Sequence, residues 1–172
     1  MARKELRIED LTFLIDSREQ RPLEFYYGNP TEPLKEVRTE TCTLDTGDYS
    51  VKGLEKRFIS IERKSLEDLI QCVGSERERF EREIYRLLAF PCRLIVVEAS
   101  WDDLMLGQWR GKVSPRSVMG SIQGWIDTGI PFFFHRDRRV IADFVRNLMF
   151  IRARRSFESL LEFQANLKLI GE

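Results

Sequence analysis

Phe58-Ile59-Ser60-Ile61-Glu62-Arg63-Lys64 alternates in a way that only an extended strand can use. Residues two apart share a face, so Ile59 and Ile61 are expected to point into a core while Glu62 and Lys64 point out together. Arg63 goes with the face opposite to Glu62 and Lys64. Immediately afterwards the period changes. Leu66, Leu69, Ile70 and Val73 fall at i, i+3, i+4 and i+7, one apolar helix face, and Gly74 ends it. A strand that runs without a loop into a helix at Ser65 places charged side chains at the seam between a sheet and the helix that leaves it.

The remaining segments fit around that seam. Leu11 to Ile15 reads as a buried strand ending at Asp16, and Gln20 to Pro33, with three prolines and Gly28, as a loop. Val37 to Leu44 is β-branched and strand-like, with a turn at Thr46-Gly47. Tyr49 to Val51 and Arg57 to Arg63 form two arms of a hairpin around Lys52-Gly53. Ser75, with Glu78 in capping-box position, is expected to start a helix whose core stripe is Phe80, Ile84, Leu87 and Leu88. Arg93 to Glu98 is a central strand. Ser114-Pro115 opens a helix with Val118, Ile122, Trp125 and Ile126 inward and Gly129 at its end. Pro131 to Phe134 is a last strand, followed by a helix from Asp137 to about Arg155 and another from Ser156 to Leu169. This order gives an α/β domain with a mixed sheet covered on both faces. Residues 1–155 form the domain, and 156–172 a C-terminal helix that belongs to it or to a dimer contact.

The 172 residues suffice for one proper core. Formal net charge is +0, so a polyanion partner would need a local basic patch. From Arg136 to Arg155 there are seven arginines against Asp137 and Asp143. They suit either a DNA backbone or a solvated face that pairs with the acidic helix around Glu76 to Glu83. Trp101 and Trp109 suit core or interface better than base stacking. Cys42, Cys72 and Cys92 are widely spaced and contain no C-x-x-C pair, which fits a reducing compartment. No apolar run approaches a membrane span, so the expected location is cytoplasmic, or nuclear in a eukaryote. His135 has no Cys or His partner nearby to make a zinc site.

Asp48 begins one hairpin arm and Glu62-x-Lys64 ends the other. Two carboxylates and a lysine at one edge suit phosphodiester hydrolysis. Carboxylates are hard ligands for Mg²⁺, the metal polarises the phosphoryl group and activates water, and a lysine offsets developing charge. The carbonyl of Arg63 could add a ligand. An exposed Glu-x-Lys pair on an edge strand is, however, also an ordinary solvated pair.

The surroundings are more specific. Gly47-Asp48 followed by Glu62-Arg63-Lys64-Ser65-Leu66-Glu67-Asp68 matches G-D-x(n)-E-R-K-x3-D. The stretch resembles the nuclease domain of the XPF family of structure-specific endonucleases, in the restriction-endonuclease-like PD-(D/E)xK superfamily. Single-domain bacterial and viral members are the most similar in this segment. Asp16-Ser17-Arg18-Glu19 resembles that family's upstream D-x-R-E element, and Cys72 to Leu87, with Arg77, Arg79, Phe80 and Glu83, its Arg-containing helix. The resemblance spans about Leu11 to Arg155. It implies a restriction-endonuclease-like fold and an Mg²⁺- or Mn²⁺-dependent endonuclease acting on branched, flapped or forked DNA, leaving 5′-phosphate and 3′-hydroxyl ends. Asp48 and Glu62 would hold the metal, Lys64 would act on water and phosphate, and Asp16 would be a further carboxylate at the metal. Arg18, Arg63 and Arg77 would be substrate-binding, although the strand face of Arg63 suggests support from behind. Asp68 and Glu19 stay open: Asp68 between metal and helix cap, Glu19 between site and salt bridge. The alternative function is a non-catalytic DNA-binding or pairing subunit.

The sequence departs from the larger members by lacking a tandem helix-hairpin-helix pattern; after Gly129 its only glycine is Gly171. It lacks a P-loop too, since Gly107 to Lys112 has the wrong spacing and is followed by Val113. Grip on DNA is then expected to come from the domain itself, a homodimer or another protein.

Overall fold

The computed structural model describes residues 5–170. After a short 3₁₀ turn at Ile8–Asp10, the chain forms β1 (Phe13–Asp16), β2 (Tyr26–Tyr27), β3 (Lys35–Glu36), β4 (Thr39–Cys42), β5 (Tyr49–Val51) and β6 (Ile59–Ser65). Next come α1 (Leu66–Val73), α2 (Arg77–Leu88), β7 (Cys92–Glu98), α3 (Trp101–Leu106), α4 (Pro115–Asp127), β8 (Phe132–Phe134) and α5 (Arg138–Ile170). Six strands make one mixed sheet in the order β4-β1-β5-β6-β7-β8, and β2 and β3 pair separately. The pairs β1–β4, β6–β7 and β7–β8 are parallel; β1–β5 and β5–β6 are antiparallel.

Alternation along the strands divides the interior in two. Phe13, Ile15, Tyr49, Val51, Ile59, Ile61, Leu94 and Val96 pack on one face with Ile141, Val145 and Met149 of α5. Ile95 and Val97 pack on the other with Leu69, Ile70, Phe80, Ile84, Leu87, Val118, Ile122 and Trp125 of α1, α2 and α4. The residues of β6 that alternate with Ile59 and Ile61, namely Ser60, Glu62 and Lys64, therefore face the α1/α2 side.

The expected elements recur, with five differences. The stretch from Gln20 to Pro33, expected as a loop, contains the short strand β2, paired with β3. The helix expected to start at a Ser75 cap starts at Arg77, and its N-cap, Glu76, makes no side-chain capping bond. Ile126, expected in the core, is exposed. Trp101–Leu106 forms a helix opened by a Ser100/Asp103 capping box, the same S-x-x-D spacing that opens α1 at Ser65/Asp68. Finally, the two helices expected at the C-terminal end are one, α5. No Gly or Pro lies between Arg138 and Leu169, and a serine alone, here Ser156, does not stop a helix whose backbone bonds can continue.

Gly47 fixes how β5 meets β6. Its φ is +79°, and a Cβ there would lie 2.4 Å from Ser60 Oγ and 2.9 Å from the Ile61 carbonyl oxygen. The close approach lets Asp48 N–H donate to Ile61 O at 2.7 Å, while Asp48 O accepts from Asp16 N at 2.8 Å. Gly47→Ala should cost at least about 2 kcal/mol, because conformational strain and a backbone clash add. Gly53→Ala, at φ +88° but with open space around it, should cost about 1 kcal/mol from the left-handed conformation alone. Urea denaturation of both variants measures the difference; equal losses would show that the clash at Gly47 is relieved by a small shift.

Candidate active site

Four elements converge where β6 ends. Asp48 precedes β5, and the Tyr49↔Ile61 register sets it beside Glu62. One Asp48 carboxylate oxygen, Oδ2, accepts from the Arg63 backbone N–H at 2.7 Å, so the strand carrying Glu62 also orients Asp48. Glu62 is only 3% exposed. Lys64 Nζ pairs with Glu62 Oε1 and lies 3.6 Å from Glu83 Oε2 of α2. The ammonium also sits 5.3 Å from the Phe80 ring centroid, a cation–π contact from the same helix. Glu62 and Lys64 thus share a face, as the alternation requires. That face is roofed by helices, not open to solvent as the sequence suggested.

Burial sets the protonation of this group. It pushes the Asp48 carboxyl up to about 6, against the Arg63 N–H and the Lys64 charge that favour its ionised form. Burial also raises Glu62 well above the usual carboxylate range, and the Asp48 charge adds to it. Burial pulls Lys64 down, but Glu62 and Glu83 outweigh it and hold the amine protonated.

Asp16, 1% exposed, lies on the same side of the sheet in β1. Its Oδ1 accepts from Arg18 N at 2.9 Å and Arg18 Nε at 2.7 Å, and its Oδ2 from Arg18 Nη2 at 3.0 Å and Leu44 N at 2.7 Å. Burial raises its pKa, but these bonds outweigh that and keep it below the usual value. The carboxylate expected as a third metal ligand is therefore occupied by protein donors. Arg18 is held by Asp16 and by the Leu44 carbonyl, with an exposed side chain and its Nη1 without a partner among the described residues. The charges of Asp48 and Glu62 also reach it.

Arg63, expected among the substrate-binding residues, faces away from this group. Its Nε donates to Glu98 Oε1 at 2.7 Å and its Nη1 to Glu19 Oε2 at 3.1 Å, all three side chains being largely buried. Arg138 at the start of α5 also pairs with Glu98, and its Nη2 donates to the carbonyl of Arg21 at 2.6 Å. Glu19 is a salt-bridge residue. Asp68 is the reciprocal cap of α1: its N–H donates to Ser65 Oγ, and its Oδ2 accepts from the Ser65 N–H. Arg77 is tied across to α4 by Ser121 Oγ at 2.9 Å and lies 5.9 Å from the Trp125 ring.

Glu83 was not singled out from sequence as a site residue. The available signal was helical spacing: three residues after core Phe80, it flanks the buried stripe of α2 toward the end of β6. The C-terminal arginines do not pair with the acidic helix. Arg136 pairs with Asp103, Arg146 with Asp143 and Arg154 with Glu158, while Glu76 and Glu81 pair within α2 with Arg79 and Arg77.

Among the described residues, no three His, Cys, Asp or Glu side chains are gathered to hold a metal ion unaided. Asp48 and Glu62 are nevertheless two adjacent carboxylates whose ionised forms burial disfavours. That donor set fits Mg²⁺ or Mn²⁺, which is commonly held by one or two carboxylates with water and substrate phosphate completing the shell. No described helix is long and apolar enough to cross a membrane.

A six-stranded mixed sheet with helices on both faces is the fold of the XPF nuclease domain. The ERCC4 domain model matches residues 15–148, most of the chain, and the protein belongs to that nuclease family. Similar solved structures include XPF from Aeropyrum pernix, with 21% identity, TM-score 0.59, and coverage of 91% of this chain and 71% of that one. The complex of XPF from Aeropyrum pernix with DNA matches with 21% identity and TM-score 0.55, over 81% of this chain and 63% of that one. No curated protein sequence matches.

The raised Asp48 pKa has a consequence for stability. Proton binding favours the folded state, so this contribution is fully present below about pH 4, the unfolded value, and is lost as pH rises through about 6. Asp48→Asn keeps a hydrogen-bond acceptor for Arg63 N–H without the charge. In metal-free buffer at pH 7.5 it should be more stable than wild type by about 1–3 kcal/mol, with the gain vanishing near pH 4. Thermal or urea unfolding across that range checks it; a destabilised Asp48→Asn protein at pH 7.5 would mean that the carboxylate is not strained.

Proposed function

We propose that the protein is a metal-dependent endonuclease that hydrolyses DNA phosphodiesters, with flapped, forked or otherwise branched DNA as its substrate class. The observation that carries this reading is the convergence of Asp48, Glu62 and Lys64 on one face at the end of β6, with the two carboxylates raised and the lysine kept charged. Membership of the ERCC4 nuclease family supports it. The branched-substrate part rests on the XPF-type motif, and the DNA part also on the DNA complex of the related fold.

In this reading Asp48 and Glu62 hold Mg²⁺ or Mn²⁺, which when bound polarises the phosphoryl group and acidifies water. The Arg63 N–H keeps Asp48 in orientation. Lys64, held between Glu62 and Glu83, places a fixed positive charge where the phosphate gains negative charge, in a setting where such charge acts strongly. Arg18 offers its free Nη1 to a neighbouring phosphate. Asp16 fixes Arg18 and is a positioning residue.

Glu62→Gln and Lys64→Ala should each reduce cleavage of labelled flap or fork DNA by at least about 100-fold while the circular dichroism spectrum is kept. Asp68→Asn should lose about 1 kcal/mol of stability and little activity. Mg²⁺ and Mn²⁺ should support cutting, and excess chelator should abolish it. Normal cleavage by folded Glu62→Gln protein, or full activity in chelator, would reject the mechanism. A folded wild-type protein that binds such DNA but never cuts it, with either metal, would establish the non-catalytic pairing subunit instead.

Pairing of two chains belongs to the same proposal. The buried residues of α5 end at Ala153, yet Leu160, Phe163 and Leu167 continue on the helix at 52%, 60% and 52% exposure. A symmetric dimer would cover them and bring two candidate sites to one DNA. Light scattering at micromolar concentration should give about twice the 20.4 kDa of one chain, and Phe163→Glu should return it to one. A fully active wild-type monomer would show that these residues serve no partner.

A further inference from the structure

A recess of about 660 Å³ lies between α1 and the loop that joins α3 to α4, lined by Glu67, Ile70, Gln71, Gln108, Trp109 and Arg110. Its place follows from the sheet. β6, β7 and β8 are parallel, so their carboxyl ends lie at one edge, where ligands of such sheets collect. α1 leaves that edge from β6, and the 107–114 loop follows the helix that leaves it from β7. Glu67 is three residues past Lys64, so the two Cα atoms lie within about 11 Å of each other.

The recess is built, not a gap in a mobile tip. Gly107 at φ +65° caps α3, and a Cβ there would lie 2.6 Å from Pro115 Cγ, so the loop is pressed onto the start of α4. Trp109 Nε1–H donates to Val113 O at 2.9 Å, which fixes the indole plane while the ring packs at the edge of the α1/α4 core. On the α1 side, Ile70 forms an apolar floor. The side-chain amides of Gln71 and Gln108 and the Arg110 guanidinium have no partner among the described residues.

An aromatic plane, an apolar floor, two free amides and a carboxylate match one kind of ligand closely. A nucleobase presents a π face together with edge donors and acceptors, and amides can satisfy both. Arg110 adds a cation for the attached phosphate. We propose that this recess takes one unstacked nucleobase of the DNA strand that leaves the candidate cleavage site. This inference rests on the endonuclease reading above and refines it: a base can enter only where it is unpaired, so the pocket would favour a junction over continuous duplex.

The test separates the two. Fork DNA is made with a single 2-aminopurine at successive positions of the unpaired arm and titrated with protein in excess chelator, so that binding is read without cleavage. The expected result is quenching concentrated at one position near the junction, lost in Trp109→Ala and weakened about tenfold in affinity by Gln71→Ala with Gln108→Ala. Glu62→Gln should keep the positional quenching. Because Trp109 also packs on the core, the exposed pair Gln71 and Gln108 keeps the test valid if Trp109→Ala does not fold. Quenching spread evenly along the arm, or unchanged in the glutamine double variant, overturns the pocket while leaving the nuclease reading intact. Free dAMP that displaces the arm at equal concentration overturns it in favour of a mononucleotide site. Failure of the wild-type protein to bind any fork overturns the reading beneath it.

Discussion

Three carboxylates, Asp48, Glu62 and Glu83, meet one ammonium, Lys64, in a largely buried space at the end of β6. With all four ionised the group carries a deficit of two positive charges. Removing charges from water is expensive, and attraction to a partner repays the cost only where a partner exists. Here Lys64 is already shared between Glu62 and Glu83, and Asp48 has one main-chain N–H. Burial, which this pairing does not offset, raises the pKa of Asp48 and that of Glu62. A divalent cation supplies two charges, which is the amount missing in the proposed reading.

The other side of the sheet shows that the shortage is local. Glu19 and Glu98 meet Arg63 and Arg138 there, two acids with two bases, and further guanidinium hydrogens go to main-chain carbonyls. The two sets are joined by a single residue. Arg63 gives its N–H to Asp48 on one side and its guanidinium to the balanced set on the other. The balanced network therefore anchors the strand on which the unbalanced one depends. α5 takes part through Arg138, so the helix that carries the exposed apolar end is also tied to the back of the site.

Much of this was legible from alternation. Period two placed Glu62 and Lys64 on one face and Arg63 on the other, and Ser65-x-x-Asp68 marked where α1 begins. Depth was not legible. Whether that face is wet depends on where α1 and α2 fold back, and an isolated strand pattern contains no such information. Asp16 had the type and place of a metal ligand, but Arg18 two residues on and the Leu44 N–H, 28 residues on, take its oxygens. The second of those donors is fixed only by the β1–β4 pairing. Glu83 required knowing that α2 lies across β6, which helical periodicity alone does not give. At the C-terminal end, seven arginines in about twenty residues suggested a basic surface, yet most of them are committed to nearby acids and carbonyls. Composition counts charges; it does not show which are free.

The unbalanced site also weighs on the choice between an enzyme and a non-catalytic partner subunit. A domain kept only for its shape gains nothing from a carboxylate at Asp48 whose ionised form burial disfavours. A neutral residue such as Asn at Asp48 would still accept from the Arg63 N–H without a buried charge. At Asp48 such a substitution would relieve strain, whereas at Glu62 it would also leave the buried Lys64 with Glu83 alone. The buried carboxylate of Asp48, together with the Gly47 that this close strand crossing requires, is a cost in stability. Such costs are characteristic of sites where function is selected against stability. By contrast Asp16, Glu19 and Asp68 each make hydrogen bonds or ion pairs within the protein itself. The acidic residues thus separate into those whose oxygens the protein's own donors take up and the pair Asp48 and Glu62, whose ionised forms burial disfavours, with Lys64 beside them.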